Sequence, residues 1–217
     1  MNATEAVPMV TNRNNSDARP TVFIVDDDGS VRASLAALVE SVGLQAETFA
    51  SAREFLDGFD PARPGCLVLD VRLGEENGLD LQDELTLRGS SLPVIMVTAF
   101  GTIPATVRAM RGGAIDFLQK PVPSSLFRDR IHEALELDRA NREREMRRST
   151  LQARLGDLTP REAEVLEFIK LGRTSRDIAE QLELSPRTVE GHRQVILRKF
   201  GVNSTAQLLH LLATLEE

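Results

Sequence analysis

Four places in the chain set a polar group at the end of a short apolar run. Cys66-Leu67-Val68-Leu69 stops on Asp70, and Thr21-Val22-Phe23-Ile24-Val25 stops on Asp26-Asp27-Asp28. Pro93 to Val97 stops on Thr98, and Ile115 to Gln119 stops on Lys120-Pro121. Runs of this length and kind read as buried parallel strands. In open α/β sheets the reacting groups lie just beyond the carboxyl ends of such strands. Converging carboxylates repel one another and need a cation, and an all-oxygen donor set favours Mg²⁺. A lysine balances the charge of a transferring phosphoryl group, and a hydroxyl donates to one of its oxygens. An aspartate in that setting can itself become the acceptor, as an aspartyl phosphate. The bland alternative is four unrelated caps and surface charges.

Two phospho-aspartate chemistries fit these residues. In the first, Asp70 is the acceptor and Asp26 and Asp27 hold the metal. In the second, Asp26-Asp27-Asp28-Gly29-Ser30 begins a haloacid-dehalogenase-type phosphatase, with Asp26 as nucleophile and Asp28 as acid. The second leaves Asp70 idle. It also expects further acidic ligands after the lysine, where Pro121-Val-Pro-Ser-Ser offers none.

The elements that would position these groups follow from the pattern. Met1 to Arg19 is polar and Asn-rich and reads as a disordered tail, residues 1–19. Strands are expected at Thr21–Val25, Gln45–Phe49, Cys66–Leu69, Pro93–Thr98 and Ile115–Gln119. Helices are expected at Val31–Val42, from Ser51-Ala-Arg-Glu54 (a capping box) to about Phe59, at Leu79–Arg88 and at Pro104–Arg111. Gly74 to Gly78 reads as a loop. Regular alternation of strand and helix calls for a five-stranded parallel sheet covered on both faces, with right-handed crossovers. A flavodoxin-like strand order 2-1-3-4-5 is expected, giving an α/β domain over residues 20–135.

Ser124 to Leu155 contains neither glycine nor proline. Its first turns keep an apolar face through Leu126, Phe127, Ile131, Ala134 and Leu135. Beyond Leu137 charges of both signs interleave, which predicts a solvated helical linker over residues 136–156 whose apolar spacing holds no heptad. Thr159-Pro160-Arg161-Glu162 starts a new helix, with a capping threonine, a proline at the first position and a glutamate three residues after the cap. Four short helices follow, at about Pro160–Leu171, Ser175–Leu182, Pro186–Phe200 and Ser204–Leu215, so residues 157–217 form a second, all-α domain. The pair joined by Glu183-Leu184-Ser185 fits a helix-turn-helix. Its second helix gathers Arg187, His192, Arg193, Arg198 and Lys199 against Glu190 alone, a local basic surface suited to double-stranded DNA.

The net charge of −7 argues against bulk attraction to nucleic acid or anionic membranes but leaves that local surface open. The single cysteine, Cys66, lies within an apolar run and reads as a core residue; no disulfide framework forms within one chain, which fits a reducing cytoplasm. No apolar run approaches a membrane span, and no signal peptide is seen at the N-terminus.

Residues 21 to about 135 resemble a response-regulator receiver domain in the order acidic cluster, Asp70, Thr98-Ala99, Lys120-Pro121. The run from Gly101 to Pro121 is similar to the FixJ subfamily of the FixJ/NarL regulators. That resemblance implies Mg²⁺ held by Asp26, Asp27, Asp70 and the backbone carbonyl of Arg72. It implies phosphoryl transfer to Asp70 from a partner histidine kinase, with Thr98 and Lys120 on the phosphoryl group. It makes Thr98 and Phe117 the switch pair and allows a cis Lys120-Pro121 bond. The chain would then be no enzyme, only a phosphoacceptor with self-dephosphorylation. Where the family usually has Met-Pro, this chain has Leu73-Gly74-Glu75-Glu76-Asn77, an unbraced loop that brings two extra carboxylates near the acceptor.

Residues 157 to 210 resemble the LuxR/FixJ-type output domain through Leu158-Thr-Pro-Arg-Glu-Ala-Glu-Val-Leu166, Ile178-Ala179, Ser185-Pro-Arg-Thr-Val-Glu-Gly-His192 and Leu197-Arg-Lys-Phe-Gly-Val202. By that resemblance Glu190, Gly191 and Gln194 face bases. Thr188, His192, Arg193 and Lys199 serve the phosphates, Arg187 is a further DNA contact, and Val189 and Ile196 pack inside. Gly191 departs from the family's usual apolar residue and costs about 1 kcal/mol of helix stability relative to alanine. Together the halves imply a transcription regulator that forms a homodimer on phosphorylation and binds two DNA half-sites. A regulator that binds DNA without phosphate control is the further reading.

Overall fold

A computed structural model of the chain describes residues 19–213 and 215. The tail expected over residues 1–19 lies outside the described residues except for Arg19. The chain divides into two compact units, the first ending at Asn141 and the second starting at Arg142.

The first unit opens with β1 (Thr21–Val25), α1 (Gly29–Ser41), β2 (Gln45–Phe49), α2 (Ala52–Gly58) and β3 (Gly65–Leu69). Next come β4 (Arg72–Leu73), β5 (Glu76–Asn77), α3 (Gly78–Leu87), β6 (Val94–Thr98), α4 (Ile103–Arg111) and β7 (Asp116–Gln119). The long α5 (Ser124–Gly156) starts in this unit. The main sheet is parallel, in the order β2-β1-β3-β6-β7. With the short β4–β5 pair set aside, this is the order 2-1-3-4-5.

The central strands are buried on both faces, which is why their sequences are unbroken apolar runs rather than alternating ones. Phe23, Val25, Leu67, Leu69 and Met96 face one layer, with Leu79, Leu81 and Leu85 of α3 and Phe55 of α2. Val22, Ile24, Val68, Ile95 and Val97 face the other, with Val39 of α1 and Phe127, Ile131 and Ala134 of α5. The period of two between facing residues is that of a strand. Although aromatics are sparse, Phe23, Phe49, Phe55 and Phe59 gather with ring centroids 4.9–6.5 Å apart. Cys66 is buried, and burial pushes its thiol pKa up, with Asp138 adding to the effect; it is an inert core residue.

Three local features differ from expectation. Residues 74–78 are not an open loop: β4 and β5 pair antiparallel, Arg72 with Asn77 and Leu73 with Glu76. Around α2, Ser51 caps the Glu54 N–H, but the Glu54 carboxylate accepts from Ala50 N rather than closing the box on Ser51. The span expected as a solvated linker, 136–156, is divided between the units. Asp138 is 1 % exposed in the first, and Leu151 is 3 % exposed in the core of the second.

The second unit continues with α6 (Pro160–Lys170), α7 (Ser175–Gln181), α8 (Pro186–Phe200) and α9 (Thr205–Ala213). Thr159 and Glu162 form the reciprocal capping box anticipated for α6. Thr174 and Asp177 form a second one on α7, a signal present in Thr174-Ser-Arg-Asp177 but carried by aspartate instead of glutamate. Val165, Leu166, Ile169, Ile178, Val189, Ile196, Phe200 and Leu208 make the core. Among the described residues no helix is long and apolar enough to cross a membrane.

Candidate functional site

Strand register builds the first site. Val25 pairs with Leu69, so Asp26 and Asp70 leave the sheet side by side. Leu69 pairs with Met96 and Thr98 with Gln119, which brings Thr98 and Lys120 to the same edge. The Lys120 N–H donates to the Thr98 carbonyl at 2.8 Å, and the Lys120-Pro121 bond is cis. The lysine's ammonium donates to Asp70 Oδ2 at 2.6 Å and also to Asp26 Oδ2. Asp26, Asp70 and Thr98 are buried. Asp27 is exposed and accepts from the Gly74 N–H at 3.1 Å.

Carboxylate oxygens of Asp26, Asp27 and Asp70 lie within 4.8 Å of one another. Burial raises the Asp26 pKa, and the donors Lys120 and the Asp28 N–H only partly offset it. Burial alone would lower the Lys120 pKa, but its bonds to Asp26 and Asp70 outweigh this and raise it, so the ammonium stays charged. One ammonium among three carboxylates leaves the cluster electron-rich and all-oxygen, which is the donor chemistry of Mg²⁺.

The backbone closes tightly around Asp70. The Arg72 N–H donates to Asp70 Oδ1 at 3.1 Å. A Cβ on Gly78 would lie 1.9 Å from the Asp70 carbonyl oxygen, so only glycine lets α3 start here. The Arg72 guanidinium sits 4.4 Å from the Phe100 ring centroid. Phe117 is half-buried, with its ring 3.2 Å from where a Cβ on Gly101 would stand. Glu76, one of the two extra carboxylates expected near Asp70, caps α2: its carboxylate accepts from Ala52 N at 2.7 Å. Asp28 is likewise a cap, on α1, accepting from Ser30 N at 2.8 Å and from Val31 N. Those donors, the Ser30 hydroxyl foremost, lower its pKa. Asp28 is therefore ionised and committed, which does not suit the general acid of the phosphatase reading.

On α8, Arg187, Thr188, Glu190, Gly191 and Gln194 are exposed, whereas His192, Arg193 and Lys199 are half-buried. Ser185 caps the helix by accepting from Thr188 N. Glu190 is held by the Ser175 hydroxyl of α7. Arg193 donates to Thr205 Oγ1 at 3.0 Å. Lys199 donates to the Glu162 carboxylate at 2.6 Å and the Asp157 carbonyl at 2.8 Å. Sequence reasoning did not find Ser175, because nothing local marks a hydroxyl one helix away as the partner of Glu190.

Comparison with known proteins agrees with both halves. Residues 22–132 match the response regulator receiver domain family, and residues 157–212 match the bacterial regulatory proteins of the luxR family. The transcriptional regulatory protein TdiR of Thauera aromatica is 41 % identical over 190 residues, covering 88 % of this chain and 84 % of TdiR. Nodulation protein W of Bradyrhizobium diazoefficiens is 40 % identical over 200 residues, covering 92 % and 88 %. Among solved structures, the response regulator StyR superposes with a TM-score of 0.83 at 41 % identity, covering 90 % of this chain and 99 % of StyR. The chain thus belongs to the response regulators that join a receiver domain to a LuxR-type output domain, and it is a phosphorylation-controlled DNA-binding regulator of transcription.

Proposed function

We propose that Asp70 is the phosphoryl acceptor, that a histidine kinase is the donor, and that phosphorylation drives homodimerisation and DNA binding. The observation that carries this reading is the Lys120 bridge to Asp70 and Asp26 at the common edge of the sheet. Asp26, Asp27, Asp70 and the Arg72 carbonyl would hold Mg²⁺, which when bound screens the charge on the phosphoryl oxygens. An Asp70 oxygen attacks phosphorus; the new P–O bond forms as the P–N bond to the donor imidazole breaks, and the nitrogen keeps the electron pair. Lys120 stays charged and pairs with the transferred group. Thr98, which now accepts from the Phe100 N–H at 3.3 Å, turns its hydroxyl proton toward a phosphoryl oxygen, and Phe117 follows it inward. A cavity of about 800 Å³ beside Lys120, lined by Ser34, Leu38, Val122 and Phe127, offers the donor protein an apolar seat. Hydrolysis of the acyl phosphate by water is the only turnover; the chain works in the cytoplasm, with a sensor histidine kinase and double-stranded DNA as its partners.

In the output unit, Arg187 and Thr188 at the start of α8 serve phosphates, and Glu190 and Gln194 face base edges. His192 and Arg193 flank them, whereas Lys199 serves the fold through Glu162.

The test is incubation of the full chain with acetyl phosphate and Mg²⁺, followed by intact mass, light scattering and DNA binding. An adduct that disappears with EDTA and in Asp70→Asn is expected, together with dimer formation and tighter DNA binding. DNA binding unchanged by the adduct would favour the phosphate-independent regulator, and an adduct retained in Asp70→Asn would overturn the assignment.

A further inference from the structure

We propose that Gly191 is a specificity-determining position, where bare helix backbone seats a thymine 5-methyl group beside an adenine read by Gln194. This rests on the reading of α8 as the helix that enters the major groove. Arg187, Gly191, Gln194 and Arg198 are all exposed. Their spacing of four, three and four puts them in one row along the helix. Gly191 is the gap in that row, with long side chains one turn away on either side.

Among the described residues nothing asks for glycine there. The residue lies inside the regular helix Pro186–Phe200 and has no positive φ. A Cβ built on it meets nothing within 4 Å. Alanine would fit and would strengthen the helix, since glycine is the poorest helix former after proline. The consequence of lacking a side chain is therefore felt only by what docks on the exposed face.

The gap has a defined chemistry. Backbone N–H and C=O groups in mid-helix are spent on the helix ladder, so the floor of the gap presents only C–H. Among the groups that base edges show in the major groove, the apolar one is the thymine 5-methyl. Gln194, three residues on, carries the amide that pairs with adenine N6 and N7. Gap and amide are suited to neighbouring positions in an A·T-containing step. A Cβ at residue 191 would occupy the methyl's place and hold the helix off the groove floor.

The experiment uses the full chain treated with acetyl phosphate. Duplexes bound by the wild type are selected from a random pool. Affinities of wild type and Gly191→Ala are then measured for the selected duplex, for versions with each thymine replaced singly by deoxyuridine, and for an unselected duplex. Thermal melting checks folding, and Gly191→Ala should raise the output unit's transition by about 4–8 °C. One deoxyuridine replacement should weaken wild-type binding about four-fold, the effect of one buried methyl, and should leave Gly191→Ala unaffected. Gly191→Ala should bind the selected duplex more weakly by at least that factor, and should lose more affinity on it than on the unselected duplex. Equal affinity of the two proteins for the selected duplex, or the same deoxyuridine cost in both, overturns the proposal. A wild type that selects no duplex overturns the reading of α8 itself, and the proposal with it.

Discussion

Lys199 and Arg198 are neighbours in the last turn of α8, yet only Arg198 is exposed. Lys199 pairs with Glu162, which is 6 % exposed and also accepts from Thr159 N at 2.8 Å. These donors, Lys199 first and Thr159 next, lower the Glu162 pKa below its ordinary value of 4.5. A carboxyl whose pKa is lower in the folded state stabilises above its unfolded value, and that contribution fades as pH falls through the folded value. Glu162→Gln should therefore melt lower than wild type at pH 7, and the gap should close as pH drops from about 5 toward 3. Melting curves of both proteins across that range check this; a gap independent of pH would mean that Glu162 acts by packing alone. The same pair shows what sequence alone could not reveal. A lysine in a basic helix turn reads as a phosphate contact, whereas in the structure it donates to a carboxylate 37 residues earlier, on α6. Asp28 is the opposite case, because Asp-Gly-Ser before an apolar helix is a cap pattern in its own right. Asp26, Asp70 and Lys120 were legible because each breaks an apolar run at its end.

Among the elements, β3 leads into Asp70, the proposed acceptor, at one end and has a buried anchor at the other. Asp138 of α5 accepts from the Gly65 N–H at 2.9 Å where the strand begins. A Cβ on Gly65 would lie 2.0 Å from the Thr21 carbonyl oxygen, so this strand start is as constrained as its finish. Asp138→Ala would leave a buried N–H without its partner, at a cost of about 1–3 kcal/mol. Urea unfolding of the first unit should show that loss, and Asp138→Asn should recover part of it through its amide oxygen. If Asp138→Ala unfolds at the wild-type midpoint, the contact carries no net stability. The five long strands could be read from sequence because burial on both faces leaves an unbroken apolar stretch. The β4–β5 hairpin could not, since two-residue strands have no period. Asp138 was hidden for another reason: in a run of alternating charges nothing marks the one that is buried.

At the scale of the whole molecule, the question is where the second unit begins. Gly156 followed by Thr159-Pro160 marks the start of α6, and residues 157–212 are the part that matches the luxR family. The core starts earlier. Leu151 is 3 % exposed within it, Leu155 packs against it, and Arg154 donates to the Phe200 carbonyl at 2.6 Å. That last contact satisfies a carbonyl at the C-terminal end of α8 which the helix leaves open. The charged sequence around these residues conceals this, because a leucine every few positions is too sparse for a helical stripe. A fragment of residues 157–217 should therefore be less stable than one of residues 142–217 by about 3 kcal/mol, most of it the buried Leu151 side chain. Leu151→Ala in the longer fragment should reproduce most of that loss. Denaturant unfolding of the three samples decides it. Equal midpoints for the two fragments would mean that the last turns of α5 merely lie on a core complete without them, whereas the expected gap makes α5 part of the fold that holds α8 in place.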